Sequence, residues 1–425
     1  MRIALLAGTH SGCGKTTITL ALLRYFQNQN QAITAFKAGP DFLDPLWHQA
    51  IMGKASYNLD TRMMGEEACR LQLLAQAEHT EIALIEGVMG LFDGASGVGG
   101  EGSSVDLARV VHSPVILVVD AAGMSGTIAA LVSGFVQFAA QKQVCISGII
   151  ANKVGSTYHA ELLKNALLEY DLPPLVAWMA RNSESLGERH LGLKTPVNAS
   201  IPDFSAFFHI DAPALLQAFK AITPIQISPI TATPRLKGKT IAVAKDEACC
   251  FIYPANLDWL RANGADVVFF SPVAGEVVPD GVDAVWLPGG YPELHVQALS
   301  VSATWASLNA VANAGKPILA ECGGAMLLGK AIVDINGKQW PMAAMFPFLS
   351  IMQPRLASLG YRADKSGVRG HEFHYSTREN AMELTPAFDV EQGDNGVRYN
   401  NVRASYIHWY FSSETEHVAR WFNAD

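Results

Sequence analysis

The chain has 425 residues, 49% of them hydrophobic and 16% charged, with a formal net charge of −8. That length supports two ordinary domains with cores of their own, while the acidic balance argues against nucleic-acid and anionic-membrane partners, which need a basic face. No apolar run reaches the roughly twenty residues of a membrane span and the chain opens on a strand, so a cytoplasmic protein is expected.

The first element is a buried strand, Ile3 to Ala7, which runs through a glycine-rich turn, Gly8 to Gly14, into a helix carrying Lys15, Thr16 and Thr17 in its first turn. Backbone N–H groups of such a turn, the orphan donors of the helix and the positive end of its dipole converge on one point, where a triphosphate sits. Gly12 and Gly14 let the backbone approach, Lys15 reaches the β- and γ-phosphates, and Thr16 offers its hydroxyl to Mg²⁺. The strict G-x-x-x-x-G-K-[ST] spacing is missed by one place, with Gly8 early and Thr9 where glycine is usual. A tight packing turn is the plainer alternative, but Gly-Lys-Thr-Thr after a strand favours nucleotide.

A second strand, Ala32 to Phe36, ends in FKAGPDFLDPLWHQA, placing Lys37, Asp41 and Asp44 at the carboxyl edge of the sheet, where ligands bind in open α/β folds. Asp41 follows Gly39-Pro40 in a loop and is expected near the metal. Asp44 is followed by Pro45, so an N-cap role competes with a metal role. A helix with apolar positions near Leu71, Leu74 and Ala75 comes next, then a strand, Ile82 to Ile85, ending in EGVMGLFDG. Glu86 suits Mg²⁺ as a hard oxygen ligand, and Asp93 is either a further ligand or an ordinary Asp-Gly turn. Strands Val115 to Val119 and Ser147 to Ala151 follow. Asn152, after the latter, has an amide that suits the adenine edge. Arg189 and His190 in RNSESLGERHLGL suit an anionic substrate, or a cap and a solvated face. Five strand-helix units with the phosphate loop after the first amount to a doubly wound parallel sheet.

The segment 223–239 is rich in proline and threonine and reads as a linker, dividing an ATP-dependent domain, 1–222, from a second α/β domain, 240–425. The second domain restarts with a strand, Thr240 to Ala244, a helix near Tyr253 to Asn263 and strands at Val267 to Phe270 and in DAVWLPGGYPELH. After a helix up to Ala314, the strand Pro317 to Ala320 ends in ECGGAMLLG. Among the six cysteines none stands in a C-x-x-C pair, so neither disulfides nor a structural metal is expected. Cys322 stands apart: a thiol between a strand and a helix opening on two glycines projects from a tight turn, and the helix dipole is expected to lower its pKa. Its partner base is His408, His371 or His374, which spacing alone does not separate. Backbone N–H groups of Gly290 and Gly323 are candidates for an oxyanion hole.

With these stretches in hand, AGTHSGCGKTT, KAGPDFLDP, EGVMGLFDG, NKVGS, ERHLGL, LPGGYPELH, ECGGAM, RGHEFHYS and ASYIHWYF, the chain resembles the cobyrinic acid a,c-diamide synthase family over nearly its whole length. The resemblance implies a dethiobiotin synthetase-like P-loop domain followed by a class I glutaminase-like domain. It implies ATP bound by Gly12, Gly14, Lys15, Thr16 and Asn152, Mg²⁺ near Asp41 and Glu86, and a glutaminase pair of Cys322 and His408. Where triad glutaminases carry a glutamate two residues after the histidine, this chain has Tyr410, so a Cys–His pair is expected. The implied substrates are a corrin polycarboxylate, L-glutamine and ATP, with Lys15 and Lys37 stabilising the transferred phosphoryl group. Phe42, Leu43 and Trp47 either flank the macrocycle or belong to the core. A monomer or homodimer is expected. Alternatives are amidation of another tetrapyrrole carboxylate, as by nickel-sirohydrochlorin a,c-diamide synthase or cobyric acid synthase, and a partitioning or regulatory ATPase.

Overall fold

A computed structural model describes residues 1–94, 100–181, 188–189, 192–193, 203–222, 233–380 and 382–423. The chain falls into two compact units, Met1–Pro229 and Ile230–Asp425. Among the described residues no helix is long and apolar enough to cross a membrane.

The first unit alternates strand and helix: β1 (Arg2–Gly8), α1 (Lys15–Asn28), β2 (Ile33–Ala38), α2 (Leu43–Met52), β3 (Tyr57–Leu59), α3 (Glu66–Ala75), β4 (Ile82–Gly90), α4 (Ser104–Val110), β5 (Val115–Asp120), α5 (Thr127–Gln141), β6 (Ile146–Val154), α6 (Thr157–Glu169) and β7 (Leu175–Ala180). A small ribbon of β8 (Glu188–Arg189) and β9 (Gly192–Leu193), then β10 (Phe208–Ile210), α7 (Ala212–Ala218) and β11 (Lys220–Ala221) complete it. The main sheet runs β10-β7-β6-β5-β1-β4-β2-β3, with β11 antiparallel to β1. Strands β1, β2 and β5 are fully or almost fully buried, which is why they read as unbroken apolar runs rather than alternations. The β2–β4 ladder sets Lys37 opposite Glu86, so two charged side chains far apart in sequence meet at the carboxyl edge. On α3 the buried face is Cys69 and Leu73, one turn apart, not the expected Leu71, Leu74 and Ala75.

The second unit has β12 (Thr240–Ala244), α8 (Pro254–Ala262), β13 (Asp266–Phe270), β14 (Ala284–Leu287), α9 (Val296–Leu299), α10 (Thr304–Asn313), β15 (Ile318–Glu321) and α11 (Gly323–Met326). Then come β16 (Ala331–Val333), β17 (Gln339–Pro341), β18 (Phe348–Met352), β19 (Ser358–Ala363), β20 (Arg369–His374), β21 (Ser376–Asn380), β22 (Val397–Tyr399), β23 (Val402–Ser405), β24 (His408–Tyr410) and α12 (Thr415–Trp421). The central sheet runs β13-β12-β14-β15-β23-β22. Its alternate residues feed two cores: Ala242, Val285, Leu287 and Ala320 on one face, and Ile241, Val243, Trp286 and Leu319 on the other.

Two features depart from the sequence reading. Residues 331–380, joined by β24, form two small sheets, β17-β16-β18-β21 and β19-β20-β24, antiparallel except for the parallel pair β16–β18; strands such as Ser376–Asn380 are mostly exposed and polar, so they lack an apolar alternation. At the end of the expected linker, Leu236 is fully buried in the second core and its N–H donates to Asn263, so this end is packed structure. Residues 223–232 lie outside the described residues.

Candidate active site

In the first unit, Gly12 and Gly14 both have positive φ, 81° and 98°, a conformation that glycine adopts without steric cost. Gly14 is the N-cap of α1, whose first turn holds no acidic residue, leaving the positive end of the helix unopposed. A methyl on Gly14 would stand 2.1 Å from Asn152 Nδ2. That amide donates to the Cys13 carbonyl at 3.0 Å, while its oxygen accepts from the Lys153 N–H at 2.8 Å. Both ends of the Asn152 amide are thus engaged with backbone, bracing the loop. Gly8 has its own reason to be glycine, because a side chain there would meet Cys13 Sγ at 2.3 Å.

The Lys15 ammonium donates to the Met89 carbonyl at 2.5 Å. Burial first, then the charge of Lys37, draws its pKa below the usual lysine range. Thr16 Oγ1 donates to Glu86 Oε1 at 2.7 Å and lies 3.3 Å from Asp44 Oδ1. Thr17 is half-buried in the same turn. Behind these lies Lys37, only 3% exposed. Its ammonium is 2.5 Å from Asp44 Oδ2 and 3.4 Å from Glu86 Oε1, and donates to the Gly87 carbonyl at 3.1 Å. An ammonium has three donors, and all three face oxygens of the protein here, so Lys37 neutralises the carboxylates.

Burial works against the charge of Lys37, but Asp44 and Glu86 outweigh it and hold the ammonium above its ordinary range. Burial also opposes the charge of Glu86, yet Lys37, His48 and the Thr16 hydroxyl prevail and hold its carboxyl below the usual range. Asp44 goes the other way, pushed up by burial and by the neighbouring Glu86 charge.

Asp41, expected near the metal, holds a helix end, and Asp44, left between a cap and a metal role, faces the charged cluster. Asp41 Oδ1 accepts the N–H groups of Leu43 at 2.7 Å and Asp44 at 3.1 Å, which is a cap on α2. Asp44, in the first turn of that helix, turns its carboxylate into the charged cluster. Asp93 closes a turn by accepting the Gly90 N–H at 2.8 Å. Trp47 is a core residue, 2% exposed, not a surface for a macrocycle. His190 and the side chain of Arg189 lie outside the described residues.

No three His, Cys, Asp or Glu side chains among the described residues close round one point as a resident metal cage would. Two carboxylates and a hydroxyl at the mouth of α1 instead suit Mg²⁺, which takes one or two protein carboxylates and completes its shell with substrate phosphates and water.

In the second unit, Cys322 is buried and has φ 46° and ψ −111°, a strained elbow between β15 and α11. His408 is the Cα partner of His371 across β20 and β24, and their rings stack with centroids 5.0 Å apart. A methyl on Gly289 would stand 2.2 Å from His408 Cε1 and 3.2 Å from Cys322 Cβ. The imidazole and the thiol-bearing carbon therefore crowd the same missing side chain. His374 stacks on Tyr406 at 3.9 Å and its Nδ1 meets the Ser376 carbonyl. His371 Nδ1 lies 3.0 Å from the Tyr253 hydroxyl. Of the three histidines, His408 is the one set against the elbow. Gly323 and Gly290 also converge, since a methyl on Gly323 would stand 3.0 Å from the Gly290 nitrogen.

The expected lowering of the Cys322 pKa is not found. Burial pushes the thiol up, more than the Gly323 N–H pulls it down, and α11 spans only four residues, too short for much of a dipole. Burial likewise holds His408 well below the ordinary histidine range. The Cys322 thiol and the His408 imidazole are thus both neutral.

Residues 4–190 match the family model of the CobQ/CobB/MinD/ParA nucleotide binding domain, and residues 240–416 match that of the CobB/CobQ-like glutamine amidotransferase domain. The cobyrinate a,c-diamide synthase of Herminiimonas arsenicoxydans is 39% identical over 443 residues, covering 100% of this chain and 97% of the relative. That of Priestia megaterium is 36% identical, covering 99% and 96%. The hydrogenobyrinate a,c-diamide synthase of Stutzerimonas stutzeri is 39% identical, covering 96% of each chain.

The chain belongs to the cobyrinate a,c-diamide synthase family. As a member it joins a nucleotide-binding domain to a glutamine amidotransferase domain. The sequence reading of this a,c-diamide synthase family member passed over His48 and Ser56. His48 Nε2 lies 2.8 Å from Glu86 Oε2, its Nδ1 lies 2.9 Å from Ser56 Oγ, and Ser56 donates to the Ala35 carbonyl at 3.0 Å. The signal was there: His48 follows Asp44 by one helical turn, on the same face of α2.

Proposed function

We propose that the chain uses ATP and glutamine to amidate the a and c acetate carboxylates of cobyrinic or hydrogenobyrinic acid. The observation that carries it is Gly289, whose absent side chain leaves room for both the His408 ring and the β-carbon of Cys322. That is a nucleophile beside its base, in a chain whose other unit has a phosphate loop.

His408 takes the thiol proton as Cys322 Sγ bonds to the glutamine carboxamide carbon, which is how a neutral pair generates its nucleophile. The N–H groups of Gly290 and Gly323 receive the developing oxyanion. His408 returns the proton to the leaving nitrogen, so the C–N bond breaks, ammonia departs and a thioester remains; water then frees glutamate. In the first unit the substrate carboxylate attacks the γ-phosphorus of ATP, the bond from that phosphorus to the β,γ-bridging oxygen breaks, and ADP leaves. The loop Gly8 to Gly14 and Lys15 hold the phosphates, and Thr16, Glu86 and Asp44 would hold Mg²⁺, which would supply charge stabilisation to the transferred phosphoryl group. Lys37 keeps the two carboxylates together, and Asp41 keeps α2 in place. Ammonia displaces phosphate from the resulting acyl phosphate, giving the amide.

Cys322→Ala tests the division of labour. Product with glutamine is expected to vanish while product with ammonium chloride persists, each product carrying two new amides by mass spectrometry. A folded variant that ammonium fails to rescue overturns the assignment.

A further inference from the structure

The residue just before the nucleophile is an acid with no place in the mechanism above. Glu321, the last residue of β15, is 2% exposed. Its Oε1 accepts the backbone N–H of Trp409 at 3.0 Å, and its Oε2 accepts the indole N–H of Trp286 at 3.1 Å. Trp409 is the residue after His408. One carboxylate therefore joins the neighbour of the nucleophile to the neighbour of the base.

The strand carrying His408 needs such a tie. Among the described residues strand β24 pairs only with β20, through Arg369↔Tyr410, Gly370↔Trp409 and His371↔His408, so it is an edge strand. Along that edge Trp409 turns its N–H to Glu321 and its carbonyl to the side-chain amide of Asn256 at 2.8 Å, while the Phe411 N–H reaches Asn256 Oδ1 at 2.9 Å. Side chains replace the missing neighbouring strand, and only Glu321 belongs to the element that carries the thiol. Both of its oxygens accept from N–H donors, which a carboxyl group can do and an amide nitrogen cannot, and burial pushes the Glu321 carboxyl up to about 8 against the pull of those two donors.

We infer that Glu321 is a positioning residue of the glutaminase, fixing the distance and angle between the elbow of Cys322 and the ring of His408. The inference rests on the reading of those two residues as nucleophile and base. Glutamine affinity does not depend on this tie, whereas proton transfer between thiol and imidazole does, and misplacement of reacting groups by about 1 Å costs on the order of a hundredfold in rate.

Glutamine hydrolysis by the full-length protein separates this from mere packing. Glu321→Gln keeps shape and one acceptor but aims its amide at one of two donors. Its kcat is expected to fall by about ten- to a hundredfold, with KM for glutamine within about twofold of the parent. Adding Trp286→Phe removes one donor and lets the glutamine carbonyl serve Trp409, so Glu321→Gln/Trp286→Phe is expected to recover most of the lost kcat. Parental kcat in Glu321→Gln, a KM that rises as kcat falls, or a double variant no faster than the single overturns the inference. Cys322→Ala, assayed alongside, keeps the two readings apart: if it still hydrolyses glutamine, the assignment of the nucleophile fails whatever Glu321 does.

Discussion

Replacing Lys37 by methionine keeps the length of the side chain and removes the cation between Asp44 and Glu86. The ammonium sits 2.5 Å from one carboxylate and 3.4 Å from the other, and all three groups are buried. At an effective dielectric constant near 20, unit charges at the longer of those separations attract by roughly 5 kcal/mol. Removing one partner of a buried pair costs about 3–5 kcal/mol in practice, because the survivor stays charged and dry. For a unit spanning Met1–Pro229, that lowers its melting temperature by roughly 6–20 °C. The pH dependence has a definite sign. In the parent, Glu86 is held below its unfolded value, so its stabilisation is complete above a pH of about 4.3 and fades only as pH falls through the folded value. In Lys37→Met only His48 and the Thr16 hydroxyl offset the repulsion between the carboxylates, and a proton relieves it. The deficit is therefore greatest near pH 8 and shrinks toward pH 5. Calorimetry of the full chain at both pH values reads this directly. A first-unit transition at pH 8 within about 2 °C of the parent, or a deficit that grows on acidification, refutes the reasoning.

Gly14→Ala places a methyl against Asn152 at a φ of 98°, which strains the backbone by about 1–3 kcal/mol and spoils the loop; ATP binding measured by calorimetry is expected to weaken at least about tenfold, and an unchanged dissociation constant contradicts the bracing role. Acid should weaken the second unit through its histidines. Burial holds His371 at about 3, whereas an unfolded imidazole titrates near 6.5. Between those values only the unfolded chain carries the proton, so each pH unit of acidification costs about 1.4 kcal/mol for this ring. His408 is lowered in the same direction. Urea melts between pH 7 and pH 5 are expected to show the loss, with His371→Gln flattening it; equal slopes in parent and variant count against it.

Much of the first site was legible because its signals are local. An apolar strand, glycines and Gly-Lys-Thr-Thr lie within one short stretch, and the charged ends of β2 and β4 follow from where strands stop. The pairing of Lys37 with Glu86 was not legible, since it comes from ladder register. Pro45 misled in an instructive way: proline is tolerated anywhere in the first helical turn, and α2 starts two residues before it at Leu43, under the cap of Asp41. In the second site the elbow of Cys322 was visible in Glu-Cys-Gly-Gly, but the choice among histidines was not. His371, His374 and His408 all stand in short strands, and only the pairing of β20 with β24 shows which ring reaches Gly289. The helix-dipole argument for the thiol failed because it weighed charge and ignored burial.

The crowding at Gly289 extends to Gly290 and Gly324, where an added methyl would meet the Ala248 and Leu287 carbonyls at 2.1 Å. A saturation library selected for growth on glutamine would therefore deplete every substitution at these positions, although Gly289 and Gly324 hold nothing that reacts. Intolerance would trace the packing around the elbow as sharply as its chemistry, and redesign for a bulkier nitrogen donor would have to begin by moving the His408 strand rather than by trimming side chains.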